Sequence, residues 1–109
     1  MTIPVRVLFT ETTNGRRQRV DDFNFYVIDM ADLAALIRQS EIDCKDEEHF
    51  EIVTDDERLV LYAAANDSRY IHESISSRAQ RIRTAWTNLI AHEVSLDSGP
   101  PAPTKGTSK

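Results

Sequence analysis

Two stretches in which every second residue is apolar lie on either side of an Asn-Gly pair, and they constrain the fold more than any other feature. The apolar positions are Ile3, Val5, Val7 and Phe9 before the pair, and Phe23, Phe25 and Val27 after it. Such alternation is typical of a strand with one buried face. Asn-Gly is a frequent turn between paired strands. The pattern therefore predicts a β-hairpin.

The register of this hairpin depends on the length of its loop. A two-residue loop at Asn14 and Gly15 places Val7 opposite Asp22. A loop that is one residue longer places Val7 opposite Phe23, and it keeps both apolar sets on the same face of the sheet. We therefore expect the longer loop, with Gly15 in the left-handed conformation that glycine adopts without strain.

A short helix is expected after the hairpin. Asp29 can cap its first turn, and Asp32 follows three positions later, where an acid offsets the positive end of a helix. Leu33, Leu36 and Ile37 would form its buried stripe, so the helix should run over about residues 30–40. The stretch 41–48 is too acidic and too aperiodic to continue it, and we interpret it as a solvated loop.

The second half of the chain predicts another hairpin and a long helix. Phe50 and Ile52 open a third strand, the acidic run 55–57 turns the chain, and Leu59, Leu61 and Ala63 lie on one side of a fourth strand. From about Asp67 to Ser95 the apolar residues fall three or four apart, which is the period of a helix. Its apolar stripe includes Ile75, Ile82, Trp86 and Leu89.

These elements predict one α+β domain over residues 1–97 in the order ββαββα. About four strands form an antiparallel sheet, accompanied by one short and one long helix, and the order of the strands is left open. Residues 98–109 contain three prolines and two glycines and too few apolar groups to fold, so we expect a disordered tail.

The composition excludes several classes of protein and of site. Glycine occurs only at positions 15, 99 and 106, so no glycine-rich loop can surround a phosphate. The single cysteine, Cys44, cannot close an internal disulfide. No apolar run approaches the roughly 20 residues that a membrane span needs. We expect a soluble, cytoplasmic protein that makes no contact with a membrane.

No catalytic residue, cofactor or metal is predicted. The segment from Asp43 to His49 offers one cysteine, one histidine and several acids, whereas structural zinc usually takes four cysteine or histidine ligands. It also lacks the glycine that calcium loops place at their sharp turn. We therefore interpret this segment as a connecting loop.

Charge and surface patterns provide the candidates for partner binding. The whole chain has a net charge of −5, and residues 21–57 hold thirteen acids against two basic residues. The candidates are the acids of the loop after the first helix, two arginines of the long helix and two tyrosines assigned to the outer face of the sheet: Asp46, Glu47, Glu48, Arg78, Arg81, Tyr26 and Tyr62. That outer face would be half apolar, unless one helix covers each face of the sheet.

These observations favour a small non-enzymatic protein-interaction module. One form of it is an acidic inhibitor or immunity-type protein that blocks a basic, nucleic-acid-handling partner by charge complementarity. Two alternatives stay open: a small enzyme with its site at a dimer interface, and nucleic-acid binding through the arginines of the long helix. The acidic balance of the chain counts against nucleic acid. Unless it breaks near Ser76 and Ser77, the long helix should overhang the sheet and expose Leu89, Ile90 and Val94, which favours a homodimer.

Overall fold

The computed structural model describes residues 2–65 and 74–97. Its elements are, in chain order, β1 (Ile3–Thr13), β2 (Arg16–Val27), α1 (Met30–Asp43), β3 (Glu48–Thr54), β4 (Val60–Ala65) and α2 (Ile75–Asp97). The strands form one antiparallel sheet in the order β2-β1-β3-β4. The predicted α+β class and order of elements are confirmed. The predicted tail lies outside the described residues.

Both helices pack on the same face of the sheet. Leu33 and Ile37 of α1 and Leu89 of α2 are fully buried in one cluster with the inward-facing residues of the strands. The strand residues of this cluster include Ile3, Val5, Val7, Phe9, Phe50 and Ile52. We call this side of the sheet the inner face and the other side the outer face. Neither described helix covers the outer face.

The β1–β2 hairpin has the expected register beside the core, but its loop is shorter than expected. Val7 lies opposite Phe23, as predicted. The loop contains only Asn14 and Gly15, whose φ angles of 55° and 75° are both positive. Positive φ at both positions gives the tight turn whose twist matches that of the flanking strands. The prediction of a longer loop is therefore wrong.

A β-bulge in β2 supplies the residue that was assigned to the loop. Phe9 lies opposite Asp21, whereas the next residue, Thr10, lies opposite Arg19. Val20 is therefore the extra residue of the bulge. Because the bulge shifts the register between the turn and the core, a two-residue turn is compatible with the pairing of Val7 with Phe23.

A second bulge reverses the predicted phase of β4 from Tyr62 onward, whereas Leu59 and Leu61 pack on the core as predicted. Ile52 lies opposite Tyr62, but Val53 lies opposite Val60, so Leu61 is the extra residue. Tyr62 consequently points into the core and is only 3% exposed. Its predicted place on the outer face is wrong, because strict alternation along β4 does not hold across the bulge.

Helix α1 begins as predicted and continues further than predicted. The side chain of Asp29 accepts a hydrogen bond from the Asp32 backbone N–H at 2.8 Å, which caps the first turn. The helix ends at Asp43, three residues after the expected end. The Glu41 carboxylate forms an ion pair with Arg78 of α2, so part of the acidic stretch is neutralised and helical.

Helix α2 is shorter than the periodicity suggests. Ser74 is not helical, and its hydroxyl accepts a hydrogen bond from the Ser77 backbone N–H at 3.1 Å. A continuous helix from Asp67 is therefore wrong, and residues 66–73 lie outside the described ranges. Ile75, placed on the buried stripe by its spacing, is exposed in the first turn.

The buried side of α2 is centred on its second half. Leu89 is fully buried, and Trp86 packs on the core while partly exposed, as predicted for the tryptophan. The expected exposure of Leu89 is wrong, because α2 still lies on the sheet at this position. Val94 and Leu96 are exposed, so the overhang is limited to the end of the helix. Neither α1 nor α2 is long and apolar enough to span a membrane.

Candidate functional site

Strand β2 forms an edge of the sheet and is exposed along nearly its whole length. Eleven of its twelve residues are exposed, and only Val27 is buried. Among the described strands it pairs with β1 alone. Such an edge presents backbone N–H and C=O groups without strand partners, and proteins usually protect it with charged residues, prolines or a covering segment. β2 carries charged residues over positions 16–22, but it also exposes large apolar side chains at Val20, Phe23 and Phe25.

Two of these apolar side chains lie beside a groove between β2 and α1. Phe23 and Phe25 share the inner face with Val27, yet Phe23 is 44% exposed. The groove has a volume of about 230 Å³, and we call it the β2–α1 groove. Its apolar lining consists of Val7, Phe9, Phe23, Phe25 and Leu36. The sheet is wider here than the layer of helices that covers it.

The aromatic residues of the groove are held by contacts within the sheet. The rings of Phe9 and Phe23 lie 6.1 Å apart between centroids and are nearly perpendicular at 81°. The rings of Phe23 and Phe25 are 6.4 Å apart. Edge-to-face contacts of this kind are favourable for aromatic pairs. These contacts fix the shape of the apolar surface of the groove.

The charged part of the groove lining is mostly acidic. It consists of Asp21 of β2, Asp43 of α1 and Glu48 of β3, together with Lys45. Glu48 is 7% exposed, and its Oε1 accepts a hydrogen bond from the Lys45 backbone N–H at 2.8 Å. Three carboxylates against one ammonium give the groove lining a net negative charge.

A tight connection between α1 and β3 places Glu48 at the groove. The Cys44 backbone N–H donates to the Ser40 carbonyl at 3.0 Å, which ends the helix. The buried Cys44 thiol donates to the Glu48 carbonyl oxygen at 3.4 Å. Glu47 adopts a positive φ of 65°, so the chain reverses within a few residues. The predicted solvated loop is therefore restricted to residues 44–47, since Glu48 begins β3.

The outer face carries an ion-pair network in place of an apolar patch. Arg6 of β1 contacts Asp22 of β2 on one side and Glu57 of the β3–β4 turn on the other. Arg19 contacts Glu57 as well, at 3.1 Å. The hydrogen bond to Asp22, followed by the charges of Asp22 and Glu57, raises the pKa of Arg6. The network connects β2 to the far hairpin across the sheet.

The apolar residues of the outer face do not form a continuous surface. Leu8 and Val53 of this face are buried. Tyr26 and Val60 are exposed, but they lie on β2 and β4, at opposite edges of the four-stranded sheet. Neighbouring strands are about 4.8 Å apart, so roughly 14 Å separates these two edges.

The two arginines predicted to bind a partner are engaged within the fold. Arg78 contacts Glu41 and so connects the two helices. The guanidinium of Arg81 lies 4.1 Å from the centre of the Tyr62 ring and donates to the Ala63 carbonyl oxygen at 2.6 Å. Both contacts direct the arginines toward the protein itself, so they do not form a cationic stripe on the surface.

The β3–β4 turn is also joined to α2. The Thr54 hydroxyl donates to Asp56 Oδ1 at 2.6 Å, and the Arg58 backbone N–H donates to the same oxygen at 3.1 Å. The other carboxylate oxygen lies 2.9 Å from His92 Nε2. These hydrogen bonds, the one from Thr54 above all, lower the pKa of Asp56 to about 2. The turn is therefore held from both faces of the sheet, because Glu57 contacts Arg6 on the outer face and Asp56 contacts His92 of α2 on the other side.

His49 of the candidate metal segment lies on the outer face, away from Cys44. Its ring nitrogens contact the Thr10 hydroxyl and the Arg17 guanidinium. Desolvation, followed by the charge of Arg17, lowers the pKa of His49. Within residues 2–65 and 74–97, no group of three or more histidine, cysteine, aspartate or glutamate side chains is placed to hold a metal ion.

Arg81 and Tyr62 are in contact with each other, but the seven predicted partner-binding residues do not form one surface. Tyr26 is exposed on the outer face, Tyr62 is buried, the two arginines are engaged internally, and Asp46 and Glu47 are exposed in the connecting loop. Of the seven, only Glu48 lines the groove.

Sequence reasoning missed the groove itself, because it assigned Phe23 and Phe25 to the core. One signal was present in the alternating pattern of β2. Asp21 occupies the position before Phe23 on the inner face, where a covered strand would carry an apolar residue.

Comparison of the chain with protein-family models, with curated proteins and with solved structures found no match.

Proposed function

We propose that this chain is a non-catalytic protein-binding module, and that it binds an extended segment of another protein along β2. The observation that carries the proposal is an exposed edge strand beside a preformed apolar groove. Blocking of a basic, nucleic-acid-handling partner stays a prediction within this proposal.

Strand addition uses both features of this site. An added strand hydrogen-bonds to the backbone of an exposed sheet edge, and alternate side chains of the added strand enter pockets beside it. β2 supplies the edge, and the inward-facing half of the added side chains would reach the β2–α1 groove. Phe23, Phe25 and Leu36 give those side chains an apolar surface to contact.

The charges along β2 favour a different protein over a second copy of this chain. If two β2 strands paired antiparallel over their full length, the Arg16 end of one would meet the Val27 end of the other. Asp21 of one copy would then lie beside Asp22 of the other, twice in each dimer. Like charges directly opposite each other in a sheet are destabilising. A partner strand with basic or neutral residues at this level avoids the conflict.

The proposal can be tested with random peptides displayed on phage and selected on the folded protein. Enriched peptides are then synthesised and titrated into the isotope-labelled chain, with backbone amide shifts as the readout. We expect the shifts to cluster in β2 and in the helix α1 residues that line the groove. Amide protons along β2 should also exchange more slowly with solvent when the peptide is bound, because they become hydrogen-bonded.

A matched pair of variants separates strand addition at the groove from general attraction to the protein. Phe25→Lys puts a charge on the inner face of the edge strand, and Asn24→Lys puts the same charge on the outer face one residue away. Phe25→Lys should abolish peptide binding, and Asn24→Lys should retain it. Equal binding by both variants, shifts confined to other elements, or no enrichment of any peptide would overturn the proposal. Concentration-dependent dimerisation through β2 would also overturn it, in favour of self-association.

A further inference from the structure

Arg17, Thr10 and His49 form a cluster on the outer face, and their side chains carry the donors of a carboxylate site. They come from β2, β1 and β3 respectively. Thr10 lies opposite His49 in the sheet, and Arg17 lies opposite Thr12, two residues further along β1. Thr10 Oγ1 lies 3.0 Å from His49 Nδ1, and Arg17 Nη2 lies 3.1 Å from the same nitrogen. The three side chains are therefore in direct contact.

Arg17 differs from two other arginines of the outer face in having no acidic partner. Arg6 and Arg19 both contact Glu57. Among residues 2–65 and 74–97, no carboxylate lies within ion-pair distance of Arg17. The positive charge of Arg17 is therefore not neutralised within the part of the chain that the structure describes.

The contact with His49 gives Arg17 only a neutral acceptor. A guanidinium donates hydrogen bonds and cannot accept them, so the ring nitrogen must accept and the ring must be neutral. Desolvation, followed by the charge of Arg17, lowers the pKa of His49, which agrees with a neutral ring. Hydrogen bonds from arginine to a carboxylate are stronger than those to a neutral group. A carboxylate is therefore a better acceptor for Arg17 than His49 is.

Few charged groups of the described chain face His49. β2 contributes Arg17 and Arg19, and Arg19 is paired with a carboxylate. β3 contributes Glu51, whose charge acts to raise the pKa of His49. The residues opposite His49 on β1 and β4 are an uncharged threonine and an alanine. Glu51 opposes the binding of an anion, and a proton on His49 would offset that effect.

We infer that Arg17, Thr10 and His49 bind a carboxylate on an acidic segment of a partner protein. Arg17 moves from the ring nitrogen to the carboxylate and donates two hydrogen bonds, and the Thr10 hydroxyl and a His49 ring N–H donate the others. His49 no longer accepts from Arg17, so it takes up a proton from solvent as the carboxylate binds. A nucleic acid fits this site less well, because its many phosphates would also meet the net charge of −5 of the chain.

The test uses a short blocked peptide of glutamates, with a peptide of glutamines of the same length as its neutral counterpart. NMR follows the ring signals of His49 across pH, and those of His92, which contacts Asp56, serve as an internal reference. The glutamate peptide should raise the pKa of His49 and leave that of His92 unchanged. Its affinity should be about threefold or more higher at about pH 5.5 than at about pH 7.5, because a proton is taken up on binding. The glutamine peptide should do neither.

Two arginine variants locate the effect at the cluster. Arg17→Gln should weaken the glutamate peptide by about tenfold. Arg16→Gln removes the same charge one residue away, where the side chain lies on the other face, opposite Thr13, and should leave the affinity within about twofold. His49→Gln should retain binding at about pH 7.5 and lose the increase in affinity toward about pH 5.5.

Several outcomes would overturn the inference. Equal losses for Arg16→Gln and Arg17→Gln would indicate general attraction to the basic end of the hairpin. Equal binding of the two peptides, no binding of either, or an unchanged pKa of His49 would also overturn it. If inorganic phosphate raises that pKa more than the glutamate peptide does, the site takes phosphate and the assignment of a carboxylate fails. None of these results concerns the β2–α1 groove, so the proposed function is judged separately.

Discussion

Replacing Phe23 by alanine should destabilise the fold much less than replacing Phe50 by alanine. Both side chains lie on the inner face of the sheet, but Phe50 is 1% exposed and Phe23 is 44% exposed. Removing a fully buried phenylalanine costs about 3 to 5 kcal/mol, through lost burial and the cavity left behind. Phe23 already borders an open groove, so its removal creates no closed cavity and loses only about half of that burial. We expect a cost of about 1 to 2 kcal/mol for Phe23→Ala.

Urea unfolding followed by the fluorescence of Trp86, the only tryptophan, measures both costs. The free energies of unfolding are compared only if the slope of free energy against urea concentration is the same for each variant. A changed slope would indicate a change in the compactness of the folded or unfolded state. A cost of 3 kcal/mol or more for Phe23→Ala, equal to that for Phe50→Ala, would refute the reasoning. Such a result would mean that Phe23 is covered in solution, and that the groove is not open to a partner.

The remaining predictions concern the parts that hold the fold together. The lowered pKa of Asp56, about 2 against 3.8, means that its carboxylate stabilises the fold above about pH 4 and that this stabilisation is lost as the pH falls toward 2. Above about pH 4, Asp56→Asn should lower the unfolding free energy by roughly 1 kcal/mol, after discounting for solvent screening at a side chain that is 31% exposed. This cost should shrink as the pH falls toward 2. A constant cost would contradict the assignment of the lowered pKa to Asp56. Asp29→Ala should cost about 1 kcal/mol in urea unfolding through loss of the helix cap, and Asp29→Asn much less. Leu89→Ala should cost about 2 to 5 kcal/mol, and a negligible cost would show that α2 is not docked on the sheet. Thermal melts with and without a chelator should coincide, since a structural metal would add directly to the folding free energy.

The sequence predicted the fold class because its apolar pattern changes period at the right places. Alternation at Val7 and Phe23 determined which residues of the first hairpin face the core, and the structure confirms that pairing. Bulges are the reason that finer details failed. Val20 and Leu61 each add one residue to a strand, and the apolar spacing alone does not determine where such a residue lies. A bulge depends on how two strands twist together, which a single strand's sequence does not record.

The candidate site was harder to predict than the fold, because it depends on strand order. Phe23 and Phe25 have the same alternation that a central strand would show, and only the position of β2 at the edge leaves them exposed. The acidic loop was predicted as a binding surface on charge alone. The structure separates it, since Glu48 turns into the groove while Glu47 remains at the surface.

The two edges of the sheet are treated differently, and the difference bears on the proposed function. At β4, Arg81 of the neighbouring helix donates to the Ala63 carbonyl oxygen, so a side chain occupies part of that edge. At β2, the bulge at Val20 interrupts the strand between its basic end and the half that borders the groove. A bulge twists an edge and hinders continuous pairing. Beyond the bulge, Asp21 opposes full-length antiparallel pairing with a second copy of the same strand. Under the proposed function, the bulge limits strand addition to the short segment beside the groove, where Phe23 and Phe25 stay exposed.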